Sequence, residues 1–272
     1  MITLNGKTVE IGSFPDGTIL MKQGGLMYGD TASLIWKYEN DREFLALAYL
    51  VKHLRRIGYT WIDLYMPYVP NARMDRVKNT EDVFTLKYFA ELLNTLELNQ
   101  VTVLDPHSDV LGALIDNCYT KTPEGYIDLA IGKIHNTELG DKNLMLFYPD
   151  SGSVKRYADM VKMPYAFGVK RRNWETGKIE GLDVIADHED DDINPIAGRD
   201  ILIVDDICSR GGTFYHSAKK LKELGANDIY LYVSHCENTI LEGELLKGDL
   251  IKKVYTTDSI FTKSHEKIEV LK

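Results

Sequence analysis

The run Ile201-Leu202-Ile203-Val204-Asp205-Asp206-Ile207-Cys208-Ser209-Arg210-Gly211-Gly212-Thr213 holds the residues best suited, by type and spacing, to chemistry. An apolar stretch ends in two adjacent carboxylates, and a Gly-Gly-Thr loop follows. The backbone N–H groups of such a loop, and the N-terminus of a helix begun beside it, suit a phosphate. The two carboxylates suit sugar hydroxyls or magnesium next to that phosphate. Together they describe a phosphorylated ribose held beside a metal.

Four further clusters carry less when taken singly. Pro67-Tyr68-Val69-Pro70-Asn71-Ala72-Arg73-Met74-Asp75-Arg76 follows an apolar strand. Arginines flanking an aspartate suit nucleotide phosphates, and a solvated turn with surface ion pairs explains them equally well. Asp105-Pro106-His107-Ser108-Asp109 offers Mg²⁺ a His and carboxylates. His is an uncommon magnesium ligand, so a hydrogen-bonded turn is the alternative. Tyr148-Pro149-Asp150-Ser151-Gly152-Ser153-Val154-Lys155-Arg156 sets Asp150 before a helix entry, as a metal ligand or, more simply, as an N-cap. Lys170-Arg171-Arg172 precedes a polar loop. It suits a closing lid that stabilises negative charge in phosphoryl transfer, or an exposed basic turn.

These clusters need a scaffold, and strands alternating with helices imply α/β architecture with mainly parallel sheets flanked by helices. Helices are expected over 44–57, with Phe44, Leu47, Val51 and Leu54 on one face and Gly58 as the stop. Another is expected after a cap at Thr80, with Val83, Leu86, Ala90 and Leu93 inward. Further helices are expected over 154–163, 213–225 and 239–246. Strands are expected at 61–66, 101–104, 144–148, 166–169, 201–204 and 229–233. Residues 119–143 read as a polar connector between halves. Residues 173–198 read as a long mobile loop with a short strand or turn. The run His188-Glu189-Asp190-Asp191-Asp192 reads as solvated loop, and His235 and Cys236 read as structural. Trp36 and Trp61 read as core or interface aromatics, while Trp174 has the chemistry to stack on a base.

The whole chain sets bounds. Its 272 residues are 44% hydrophobic and 27% charged, as in ordinary globular proteins. A net charge of −9 disfavours nucleic acid as a partner, so any phosphate site must be made locally. No run approaches the roughly 20 apolar residues of a membrane span, and the first residues do not read as a signal peptide. Cys118, Cys208 and Cys236 are far apart in sequence and form no CxxC, as expected of free thiols in the cytoplasm.

The order of the motifs is specific. FPDG, PYVPNARMDR, DPHSD, PDSGSVKR, VKRR, VDDICSRGGT and VSHCENTILEG follow one another from Phe14 to Thr257 as in the ribose-phosphate pyrophosphokinases. The chain resembles that family in divergent and shortened form. The VDD-to-GGT motif is shared with type I phosphoribosyltransferases. The resemblance implies two tandem phosphoribosyltransferase-like domains with the active site between them. Residues 1–124 would form the ATP side, and 125–272 would carry the ribose-phosphate loop. It also implies a homo-oligomer. The implied reaction moves the β,γ-pyrophosphoryl group of Mg-ATP to the 1-hydroxyl of ribose 5-phosphate and releases AMP. By motif, Asp205 and Asp206 would bind ribose hydroxyls, and Ser209, Gly211, Gly212 and Thr213 the 5-phosphate. His107 and Asp150 match metal positions, with His107 also on the ATP side. Lys170 and Arg172 match the cations that stabilise the transition state. Arg73 and Asp75 match ATP-binding positions, and Phe14 and Asp16 match a segment that reaches the adenine of a neighbouring subunit.

Departures from the family pattern accompany the matches. Thr18 stands where the family usually has Glu, Met74 replaces a polar residue, and Val169 replaces an acidic one. A strand-helix unit before Phe14 and a helix after Leu271 are not recognisable. Arg210 stands where the family has Thr or another small residue. Arg210 reads as a tighter grip on the 5-phosphate, as a partner for a second phosphate in a larger acceptor such as ADP-ribose, or as a solvent-facing residue paired with a nearby carboxylate. The ADP-ribose product would be ADP-ribose 1-pyrophosphate, which belongs to NAD metabolism. Two other classes compete. A phosphoribosyltransferase that consumes PRPP leaves Arg73, Asp75, Lys170 and Arg172 without work. A non-catalytic regulatory homologue should have lost catalytic residues, whereas Lys170, Arg172, Asp205, Asp206, His107 and Asp150 all remain.

Overall fold

A computed structural model describes residues 1–22, 29–135, 143–172, 179–186 and 194–272, with backbone alone at 170–172, 179–182 and 186. Internal contacts divide the chain into two units, Met1–Thr122 and Pro123–Lys272.

The first unit runs β1 (Ile2–Leu4), β2 (Lys7–Thr8), β3 (Ile11–Ser13), β4 (Ile19–Met21), β5 (Thr31–Trp36), α1 (Arg42–Arg56), β6 (Trp61–Met66), α2 (Thr85–Asn94), β7 (Gln100–Leu104), α3 (Val110–Leu114) and β8 (Cys118–Lys121). Its main sheet has the order β2-β1-β5-β6-β7-β8. The last four strands are mutually parallel, and β1 is antiparallel to both neighbours. Strand β6 alternates exposed or half-buried with buried residues, so one face is apolar. Ile62, Leu64 and Met66 of that face join Leu47, Leu50 and Leu54 of α1 and Leu86, Phe89 and Leu93 of α2 in one core. The 3–4 spacing of these helical residues is what lets each helix bury one stripe. Helix α1 ends at Arg56, and Gly58 takes a φ of +104° as the chain turns toward β6.

The second unit runs α4 (Glu124–His135), β9 (Leu144–Tyr148), α5 (Ser151–Tyr157), β10 (Tyr165–Arg172), β11 (Ile179–Ala186), β12 (Asp200–Cys208), α6 (Gly212–Glu223), β13 (Ile229–Cys236), a 3-10 turn (Asn238–Glu242), β14 (Lys253–Thr257) and β15 (Ile268–Leu271). The sheet order is β11-β10-β9-β12-β13-β14-β15, parallel throughout except for β11. Alternate residues of β12 enter different cores. Ile201 and Ile203 pack with Phe214, Ala218 and Leu221 of α6, while Leu202 and Val204 pack with Ile127 and Ile131 of α4 and Tyr157 of α5. A strand covered on both faces needs an uninterrupted apolar run, which 201–204 supplies. From β9 the chain crosses to β10 on one side, then returns to β12 on the other. The order reverses between β9 and β12, and such switch points are where open α/β sheets hold ligands.

Several expectations need correction. The second helix starts at Thr85, not after Thr80, and Val83 is exposed. The stretch 119–143 contains α4, whose Ile127, Ala130, Ile131 and Ile134 are buried beneath a polar face. Helix α5 stops at Tyr157, six residues before Met163. In place of a helix over 239–246 there is a 3-10 turn. Strand β12 runs on through both aspartates to Cys208, and β10 runs on through Lys170, Arg171 and Arg172. Ile179–Ala186 is a full strand antiparallel to β10. Trp36 is buried, but Trp61 is half exposed. Trp174 and the run from His188 to Asp192 lie outside the described residues. Among the described residues no helix is long and apolar enough to cross a membrane.

Candidate functional site

In the second unit, the loops after β9 and β12 meet at the switch point. Asp150 caps α5, its Oδ1 accepting from the N–H groups of Gly152 at 3.1 Å and Ser153 at 3.2 Å. The Ser153 hydroxyl donates to Asp205 Oδ1 at 2.9 Å. One turn along α5, Arg156 places Nη2 at 3.2 Å from Asp205 Oδ1 and Nη1 at 3.0 Å from Asp206 Oδ2. One guanidinium therefore clamps both carboxylates, and its plane lies over the Tyr157 ring at 5.1 Å. Asp206 is buried and the Arg156 side chain is only 21% exposed, so this is a shielded cluster rather than a surface pair. Burial, then the adjacent Asp206 charge, push the Asp205 carboxyl up to about 7. Arg156, the Asp206 N–H and Ser153 oppose that rise without cancelling it.

The loop that follows is shaped for an anion. Gly211 has a φ of +76° and caps the twelve-residue α6, which opens with the exposed Gly212 and Thr213. The first N–H groups of a helix have no partner within it, and the helix dipole adds positive potential there. Arg210 extends outward, with Nη2 at 3.1 Å and Nε at 3.3 Å from Glu242 Oε2. This is the pairing with a nearby carboxylate among the three readings of Arg210. Ser209 sits half-buried between Cys208 and Arg210.

In the first unit, the loops after the neighbouring strands β6 and β7 come together. Leu104 N–H donates to Pro67 O at 3.2 Å, tying the loop roots. Two non-glycine residues there take left-handed backbone, Asn71 at φ +65° and Asp105 at φ +40°. Such positions concentrate at functional sites. Asp75 is buried and receives Arg76 Nε at 2.9 Å. Burial raises its carboxyl, but Arg76, the nearby Ser108 and His107 outweigh burial and hold it below the usual range. Asp75 and His107, from two separate motifs, therefore share one neighbourhood. Arg73 is exposed on the same loop. Phe14 and Asp16 lie in the β3–β4 hairpin turn, where Asp16 Oδ1 accepts from Thr18 N at 3.0 Å and Thr18 Oγ1 at 2.7 Å. Thr18, a departure from the family pattern, thus closes the turn, and Phe14 is half exposed.

Lys170 and Arg172 occupy the paired end of β10, opposite Leu182 and Ile179 of β11. Sequence reasoning missed Arg156 and Ser153 as partners of the aspartates. Their signal was the i,i+3 spacing that puts both on one face of a helix starting at Asp150. It also missed that Cys208 and Cys236, 28 residues apart, stand side by side as partners on β12 and β13.

No protein-family model matches the chain. The ribose-phosphate pyrophosphokinase of Caldanaerobacter subterraneus subsp. tengcongensis is 26% identical, covering 97% of this chain and 81% of its own length. The Bacillus subtilis enzyme of the same name is 28% identical over 85% of this chain and 70% of its own. That of Thermococcus kodakarensis is 28% identical over 84% and 77%. The crystal structure of phosphoribosylpyrophosphate synthetase from Mycobacterium smegmatis superposes with a TM-score of 0.78 at 19% identity, covering 97% of this chain and 85% of that one. The fold and the near-complete alignments make this chain a divergent relative of the ribose-phosphate pyrophosphokinases, a family of diphosphotransferases, with a phosphoribosyltransferase-like sheet in each unit.

Proposed function

We propose that the chain transfers the β,γ-pyrophosphoryl group of Mg-ATP to the 1-hydroxyl of ribose 5-phosphate, forming PRPP and releasing AMP. The observation that carries this reading is the Arg156-clamped Asp205–Asp206 pair directly before the glycine-capped N-terminus of α6. Carboxylates facing ribose hydroxyls beside N–H groups facing a phosphate are the complement of a 5-phosphorylated ribose. In this reading Asp205 and Asp206 orient the sugar, while Ser209, Gly211, Gly212 and Thr213 hold its phosphate. Arg73, Asp75 and His107 serve ATP from the first unit, with Phe14 and Asp16 toward the base. Lys170 and Arg172 supply positive charge to the transferring group.

Magnesium fits the donor chemistry of these residues. Among the described residues no group of three or more His, Cys, Asp or Glu side chains is arranged as a metal cage. Mg²⁺ needs none, since it takes one or two carboxylates and fills its shell with phosphate oxygens and water. Asp150 in the second unit and His107 in the first are each a proposed ligand within its own unit. When bound, the metal neutralises charge on the phosphates. The chain's own part is to hold the acceptor hydroxyl in line and offset charge, because phosphoryl-type transfer rests on positioning and electrostatics.

The test is to incubate the protein with ATP, Mg²⁺ and ribose 5-phosphate and detect AMP and product by mass. AMP formed without any nucleobase separates this reading from a PRPP-consuming phosphoribosyltransferase. Lys170→Ala is expected to lower kcat by about 10³-fold with little change in acceptor binding. Wild-type turnover in that variant removes the cation role.

A second acceptor is favoured by one observation: Arg210 puts a guanidinium at the rim of the phosphate loop, 73% exposed and held by a carboxylate that is itself 60% exposed. An exposed pair of this kind is weak enough for a ligand phosphate to displace. ADP-ribose carries such a second phosphate, and its product would be ADP-ribose 1-pyrophosphate. Running both acceptors side by side decides, and turnover of ribose 5-phosphate alone eliminates the larger one.

A further inference from the structure

Gly243 has an ordinary backbone, φ −85° and ψ 179°, which any residue adopts, so its own conformation does not call for glycine. Its surroundings do. A Cβ built there would lie 1.9 Å from the carbonyl oxygen of Arg210 and 2.9 Å from its carbonyl carbon. That is backbone of the phosphate loop, which cannot swing aside as a long side chain does. Two residues on, Leu245 is fully buried and closes on the same loop. A Cβ on Gly211 would meet Leu245 Cδ2 at 2.9 Å and Leu245 Cβ at 3.0 Å. Just before Gly243, Glu242 holds the Arg210 guanidinium from outside. The segment is itself anchored, with Gly243 N–H donating to Ile240 O at 3.2 Å and Glu237 N–H to Cys208 O at 2.8 Å. Ile240 is in the same core as Leu245.

We infer that Glu242, Gly243 and Leu245, which follow β13, form a buttress that sets the shape of the loop 209–213 for a sugar phosphate, with Gly243 and Leu245 as positioning residues. Gly211 reaches its left-handed turn with Leu245 directly behind it, and Arg210 can turn its carbonyl toward Gly243 only while 243 lacks a side chain. That shape is what would present the loop's N–H groups to an anion. The inference rests on the ribose-phosphate reading for the ligand, but not for the contact.

The experiment uses Gly243→Ala, which adds one methyl against the Arg210 carbonyl, with three readouts. Ribose 5-phosphate affinity by calorimetry is expected to weaken by about tenfold or more, because ångström-scale misplacement of binding groups costs up to about 10²-fold. ATP affinity is expected to stay within about twofold, a split that general destabilisation would not give. Amide hydrogen exchange is expected to rise at 210–214 and to stay unchanged in β9 and β13. If Gly243→Ala fails to fold, Leu245→Val removes the loop-facing Cδ2 atom without adding bulk, and a smaller loss of the same kind is expected. Unchanged acceptor affinity and unchanged loop exchange in a folded variant overturn the buttress while leaving the proposed function standing. Wild-type protein that does not bind ribose 5-phosphate overturns the proposed function instead, and loop exchange still decides the buttress.

Discussion

The two units solve the same problem, a carboxylate at the carboxyl edge of a parallel sheet, with opposite electrostatics. In the first, Asp75 is paired mainly with Arg76, whose side chain is 68% exposed, and the carboxyl is held low. In the second, Asp205 and Asp206 share the shielded Arg156, and Asp205 is pushed up. A single carboxylate with a partner in water stays ionised cheaply. Two carboxylates behind one guanidinium carry a surplus negative charge in a desolvated place, and an incoming cation or hydroxyl donor relieves it. The second edge is therefore the more strained and the more ready for a polar ligand.

Removing the two arginines probes the contrast most sharply. Arg156→Ala removes the cation that Asp205 and Asp206 share, pushes Asp205 further up and leaves the buried Asp206 carboxylate without that partner, and should cost about 3 kcal/mol of stability, by the usual effect of breaking a shielded pair. It should also abolish measurable ribose 5-phosphate binding. Arg76→Ala should lower the melting temperature by a much smaller amount, since its side chain is 68% exposed, and act on the ATP side alone. Equal melting shifts in the two variants would erase the distinction.

The pH dependence should run in opposite directions at the two edges. Asp205 has a folded value of about 7, above the ordinary 3.8, so folding is helped when it is protonated, and that help is lost as pH rises toward and through about 7. Asp205→Asn should therefore raise the melting temperature at pH 8, with the gain shrinking at pH 5, while acceptor binding is lost. Asp75 is held below 3.8, so its stabilising effect is present above that value and fades only as pH falls through the lower folded one. Asp75→Asn should then be neutral or destabilising at pH 8. Melting curves of both variants across pH 5 to 8, about the range in which most proteins are stable, check the signs.

The smallest effect belongs to Glu242→Gln. It frees the Arg210 guanidinium without touching the Gly243 contact, so ribose 5-phosphate affinity should change by no more than about twofold, as exposed pairs contribute little. A large loss would mean that the ion pair, rather than the backbone contact, shapes the loop.

The carboxylate pair, the glycine loop and the parallel sheets were legible because each is local: an apolar run, adjacent charges, a Gly-Gly punctuation. Helix α4 was hidden because its buried positions Ile127, Ala130, Ile131 and Ile134 are diluted by polar neighbours and a glycine. The extension of β12 through Asp205 to Cys208 was not legible, since aspartates normally end strands and only tertiary pairing with β13 carries them. Arg156 was visible as a residue but not as a clamp, because its partners lie 49 and 50 residues away. Gly243 was invisible in principle, because its requirement comes from a backbone 33 residues upstream.

The side-by-side placement of Cys208 and Cys236 gives the acceptor loop a built-in chemical reporter. Both thiols are buried, and a hydrogen bond donated to Cys236, then burial, push the Cys208 thiol up. A protonated, enclosed thiol does not react with alkylating reagents. Cys118, half-buried on the first unit's edge strand, meets solvent without any opening. Modification of the other two therefore requires the layer packed with them, Phe214 of α6 with Ile240 and Leu245, to lift at the root of the loop, and their labelling rate counts how often the closed protein comes open there.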